Sequence, residues 1–133
     1  MKGSENMNTK PIAVSALFVS LLVTISSSDA VAHHAATMFD REHTVELVGT
    51  IREFQWTSPH IWIQVQVENE AGDLEEWSIE GGTPSRLYRA GWRPSTFSPG
   101  DKVTIRGNPM RDGGKAALFV GAKLEDGSTL GQY

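Results

Sequence analysis

"HIWIQVQVENEAGDLEEWSIEGG", residues 60–82, is the stretch from which the fold can be read. Ile61, Ile63, Val65 and Val67 alternate with Trp62, Gln64, Gln66 and Glu68, the two-residue period of a strand with one face turned inward. Asn69 to Asp73, "NEAGD", has the composition of a hairpin turn. The following "LEEWSIEG" places Trp77 and Ile79 on one side of a returning strand.

Working outward, the same period runs upstream, where Val45, Leu47, Gly49 and Ile51 share a face. Phe54 and Trp56 fall on the opposite parity, so a bulge near Arg52 and Glu53, or a strand curving around a barrel, is needed to reconcile the two registers. Downstream of Gly81-Gly82 the period changes. Thr83 as N-cap, Pro84 at the first helical position, Leu87 and Tyr88 as an apolar pair and Gly91 as terminator predict a helix of two turns. "SPGD" then turns into a strand carrying Val103 and Ile105. "RDGGK" turns into a last strand in which Leu118, Val120, Ala122 and Leu124 are expected to alternate, and the tail "DGSTLGQY" is expected to fray. Three meandering strands, a short helix and a two-strand hairpin give a mainly β class. The order β-β-β-α-β-β predicts a small OB-like Greek-key barrel over residues 44–133, preceded by an arm at 33–43.

Residues 1–32 read differently. Lys2 and Lys10 precede an apolar run from Ile12 to Ile25, and Ala30-Val31-Ala32 forms a small-x-small cleavage site. This is the pattern of a secretory signal peptide, shorter than the ~20 apolar residues of a membrane span. The expectation is a periplasmic or secreted protein with no stable membrane span after cleavage. No cysteine is present, which excludes a lipidated cysteine, disulfides and thiolate chemistry. Cleavage would remove two bases, Lys2 and Lys10, and two acids, Glu5 and Asp29, so the net charge of -4 is unchanged. An acidic domain without a basic run is expected to have no nucleic-acid partner, because phosphate neutralisation supplies most of that affinity.

Cleavage after Ala32 would leave His33 with a free α-amine beside its own imidazole, two nitrogens on one residue that suit tetragonal copper(II). One further imidazole completes a three-nitrogen site, and His34, His43 and His60 are the candidates. His60 is the best placed, following Pro59 at the entrance to a strand with Trp56 and Trp62 on either side. The alternatives are an exposed arm that binds nothing and a His60 that only hydrogen-bonds the turn. Zinc is less well matched, since no HxH, HExxH or cysteine cluster occurs.

Four tryptophans form a second group. Trp56 and Trp62 could present a stacking face to a peptide, glycan, small molecule or envelope protein; equally, the aromatics could plug the barrel and anchor the helix. Gly81-Gly82 with Arg86 and Arg89 could hold an anion, but a lone glycine pair is a weak signal and a strand-to-helix turn requiring positive φ is the expectation here. The carboxylates, Glu75, Glu76 and Glu80 among them, read as a solvated face. No GxSxG is present, so the residues favour binding over hydrolytic catalysis.

Three separated stretches carry a resemblance: "AHHAATMFD" at 32–40, the pattern V-x-L-x-G-T-I-x-x-F-x-W-T-S-P-H-I-W at 45–62, and W-S-I-E-G-G-T-P-S-x-L-x-R-x-G-W at 77–92, followed by "PGDKVTIRG". Together they resemble a widespread bacterial family of small exported proteins carried as a domain of unknown function, with the motifs AHHS...FD, WTNPH and Trp-x-x-E-x-G. Ala35 and Ser58 depart from the serine and asparagine usual at those places. The resemblance implies an exported β-barrel domain without an assigned substrate, and it matches His33, His34 and His60 to motif positions. The sequence thus leads to two expectations: a copper-binding protein using His33, His60 and His34, or a metal-free adaptor using Trp56 and Trp62.

Overall fold

A computed structural model describes Gly3 and residues 37–133. Its strands are β1 (Val45–Gln55), β2 (Trp62–Glu68), β3 (Leu74–Glu80), β4 (Lys102–Pro109), β5 (Ala116–Leu124) and β6 (Thr129–Gly131), and the helix α1 (Pro84–Arg89) lies between β3 and β4. The strand order is β3-β2-β1-β4-β5-β6, and a further parallel pairing of β3 with β5 closes the first five strands into a barrel. This is the OB-like fold that the strand order predicts.

Closure depends on β1 serving two partners. Val45 to Thr50 pair with β4, while Gly49 to Gln55 pair with β2. Between Ile51 and Glu53 the register with β2 slips, so the bulge falls at Arg52, where the change of apolar parity requires it. The bulge lets Leu47 and Ile51 and then Phe54 all reach the interior. Ile61, Ile63, Val65, Ile79, Ile105, Ala117 and Ala122 are fully enclosed there, and each of the Ile and Val side chains contributes roughly 1.5–3 kcal/mol by burial.

The helix forms as its punctuation dictates. The Arg86 amide donates to Thr83 Oγ1, and the Leu87 amide to the Thr83 carbonyl. At the other end Gly91, at φ 95°, lets its own amide donate to the Tyr88 carbonyl and the Trp92 amide donate to the Leu87 carbonyl. That pair of bonds is the Schellman termination, and it turns Trp92 beneath the helix into the barrel. There Trp92 meets Phe97 and Phe119 edge-on, with ring centroids 5.7 and 5.2 Å apart, and Phe54 meets Phe97 at 5.3 Å. The aromatics therefore fill the barrel under α1, in the arrangement that opposed ring edges and faces favour.

Two local expectations are corrected. The alternation expected along the last strand breaks, because β5 carries a second bulge. Arg106 pairs with Gly121 and Gly107 with Phe119, leaving Val120 unmatched. Ala117 and Phe119 therefore face inward with Ala122 and Leu124, while Leu118 and Val120 turn outward. The tail does not fray: Thr129 to Gly131 pair with Gly121 to Lys123 as β6, because "DGS" makes a turn in which Asp126 accepts from the Ser128 amide and hydroxyl.

A Cβ at Gly121 would overlap the Gln132 carbonyl and lie 3.1 Å from that of Leu130. Gly121→Ala is expected to push β6 off β5 and to destabilise the protein by about 1–3 kcal/mol in urea unfolding. An unchanged midpoint would show that β6 is not held there.

Lys115 Nζ lies 2.9 Å from Glu75 Oε2 across the β3–β5 seam, and Asn69 Nδ2 donates to Glu75 Oε1. The Lys115 bond first, and the Asn69 bond second, hold the Glu75 carboxyl below the usual range. A depressed carboxyl stabilises the fold fully above its unfolded pKa, and that contribution is lost as pH falls through the lower folded value. Glu75→Gln should therefore reduce stability at neutral pH while flattening its fall in acid, as read by urea midpoints across pH. Parallel curves for the two proteins would contradict this.

Candidate functional site

The entrance to β2 is built by backbone bonds from two directions. Thr57 Oγ1 donates to the His60 carbonyl at 3.0 Å, closing the turn that contains Pro59. The Ile61 amide then donates to the Gly82 carbonyl, and the Gly81 amide donates back to Ile61, extending the β2–β3 ladder one step past its last strand pair, Trp62 and Glu80. Gly81 is required here for close approach. A Cβ would overlap the Ile61 side chain, and neither Gly81 nor Gly82 adopts the positive φ expected from the sequence.

This frame brings His60 against Glu80. Nδ1 of the imidazole is in hydrogen-bond and ion-pair contact with Glu80 Oε1, the imidazole side chain being 42% exposed and the carboxylate 12%. Glu80 thus departs from the solvated face expected of it. A carboxylate accepts only, so Nδ1 is the donor, and in the neutral ring Nε2 keeps its lone pair, with no hydrogen bond among the described residues. The neighbouring outward residues of the hairpin, Ser78 and Gln64, bond one another at 2.7 Å.

The other predicted residues are distributed around this pair. Trp56 packs edge-on against Phe54 at 5.9 Å and lies against the core, which accounts for its half-burial. Trp62 is half-buried on the outer side of β2, opposite Gln55 and Glu80, and makes no ring contact with Trp56 among the described residues. His43 is occupied with Asp40 at 2.7 Å, a bond that is the largest cause of the lowered Asp40 carboxyl. His33 and His34 lie outside the described residues. Among the described residues no group of three His, Cys, Asp or Glu side chains is placed to hold a metal ion.

Sequence reasoning missed Glu80 as the partner of His60. The signal was present in the hairpin: counting back from the Asn69–Asp73 turn sets Trp62 opposite Glu80, which puts the strand entrance next to that carboxylate. An open cleft lined by Arg41 and Arg86 was also missed in extent, since its walls come from the arm, α1, β5 and β6.

No curated protein matches the chain. Among solved structures it is similar to the mitochondrial single-stranded DNA binding protein Rim1 from S. cerevisiae in two crystal forms. One has 12% identity and a TM-score of 0.48, the other 11% and 0.46. Each match covers 62% of this chain and 93% or 92% of the other. The exclusion of nucleic acid drawn from the acidic charge is corrected by this finding, because proteins named for binding single-stranded DNA are among the similar structures. The model of a family of unknown function, DUF6152, matches residues 21–119, and the chain belongs to that family.

Proposed function

We propose that this is an exported, periplasmic metal-binding protein in which His60, oriented by Glu80, is one ligand of copper(II). The single observation that supports the reading is the His60–Glu80 contact. Metal-binding histidines characteristically donate their second ring N–H to a carboxylate, which fixes the ring and makes the free nitrogen a better ligand. The bond from the Thr57 hydroxyl to the His60 carbonyl and that from the Ile61 amide to the Gly82 carbonyl add the rigidity that a ligand position needs.

One imidazole does not hold copper tightly, and the remaining nitrogens are assigned to the chain end. With cleavage after Ala32, the α-amine and imidazole of His33 supply two donors and His60 a third, with His34 as substitute. An all-nitrogen set of this kind suits the tetragonal preference of copper(II). Copper when bound would be held for delivery or sequestration. The protein's own part is to orient the imidazole and to present a terminal amine whose ordinary pKa, about 7.7, lets a competing metal displace its proton at neutral pH.

The test is a copper(II) titration followed by EPR on protein exported and processed in cells. Expected is one-to-one binding with a three-nitrogen signature, lost in His60→Ala and in a variant retaining Met before His33. Glu80→Ala should weaken binding about 10- to 100-fold while leaving the stoichiometry intact. Equal affinity in the processed protein and in His60→Ala would contradict the proposal.

A further inference from the structure

An open cleft of about 750 Å³ lies between α1, β5, β6 and the segment before β1. Its apolar wall is made by Leu87, Trp92, Phe119 and Leu130, of which Trp92 is buried and the others are half-buried against the core. The bulge in β5 contributes to the same wall by turning Leu118 and Val120 outward. Arg41 and Arg86 also line the cleft, and among the described residues no Asp or Glu does.

These two arginines differ from most of the others. Arg52 pairs with Glu76 and Arg106 with Glu46, while Arg93 donates to the Tyr88 and Trp92 carbonyls and Arg111 to the Thr37 carbonyl. The side chains of Arg41 and Arg86 have no hydrogen bond or ion pair among the described residues, in a chain of net charge -4. Acids are plentiful on this protein, yet among the described residues none pairs with Arg41 or Arg86.

We infer that the cleft binds a small amphiphilic anion, a carboxylate or phosphate head carried on an apolar chain. The head would lie with Arg41 and Arg86, whose planar guanidinium groups match both oxyanions, and the chain along Leu87, Trp92, Phe119 and Leu130. The volume falls within the roughly 300–1,000 Å³ of small-molecule sites, and the lining is mixed, apolar on one wall and polar elsewhere, as an amphiphile requires. The site uses none of the residues assigned to copper.

Calorimetric titration with decanoate and decyl phosphate tests this, with acetate as a head-only probe and decan-1-ol as a tail-only probe. Expected is one-to-one binding of at least one of the two anions below its micellar concentration. Acetate and decan-1-ol should each bind about tenfold more weakly or worse, a difference equivalent to about 1.4 kcal/mol. Arg41→Gln and Arg86→Gln should each weaken the anion by a similar factor. Their unchanged urea midpoints would show that the fold is intact, and Leu130→Gln should weaken the anions and decan-1-ol alike. Absence of binding by both anions, decan-1-ol binding as tightly as they do, or arginine variants with unchanged affinity would overturn the inference.

Discussion

The parallel pairing of three residues of β3 with three of β5, Ser78 to Glu80 against Ala116 to Leu118, is the contact on which the barrel depends. Without it the six strands would be an open sheet with β3 at one unpaired edge, and the enclosed residues at its centre would face solvent on one side. The seam is short, and it is possible only because β1 bends at Arg52 far enough to present β2 and β4 to opposite sides. Lys115 fastens its lower end, through its carbonyl to the Ser78 amide and through its ammonium to Glu75. Its upper end is Glu80, the residue that holds His60.

Much of this was legible in the residues because the signals were local. Alternation named the inward faces of β1 and β2, the change of parity located the first bulge, and Thr83, Pro84 and Gly91 marked both ends of α1. What escaped was set by long-range register. The second bulge lies in a strand whose residues, Leu118 to Ala122, are nearly all small or apolar, so no polar position marked the slip. β6 is three residues long, too short to show a period, and its pairing follows from the close approach permitted by Gly121.

The site was legible to a similar degree and for the same reason. His60 stood out beside Pro59 and between two tryptophans, whereas Glu80 is twenty residues away and looks like one more strand carboxylate. Folding makes it different: the hairpin buries it to 12% exposure and aims it at an imidazole. Trp56, flagged for a ligand face, is half-buried against Phe54, while Phe54, Trp92 and Phe97 fill the barrel beneath α1. The second bulge has the reverse effect, moving Leu118 and Val120 out of the core and into the wall of a cleft.

The proposed role of Glu80 is to fix His60 as a copper ligand with a free Nε2. It is tested most directly by long-range proton–nitrogen NMR correlation of the His60 ring near neutral pH, followed by addition of copper(II). Expected are the Nδ1–H tautomer in the metal-free protein, its loss in Glu80→Ala, and selective broadening of the His60 resonances by less than one equivalent of copper. An Nε2–H tautomer, or a His60 signal indifferent to copper while other histidines broaden, would contradict it.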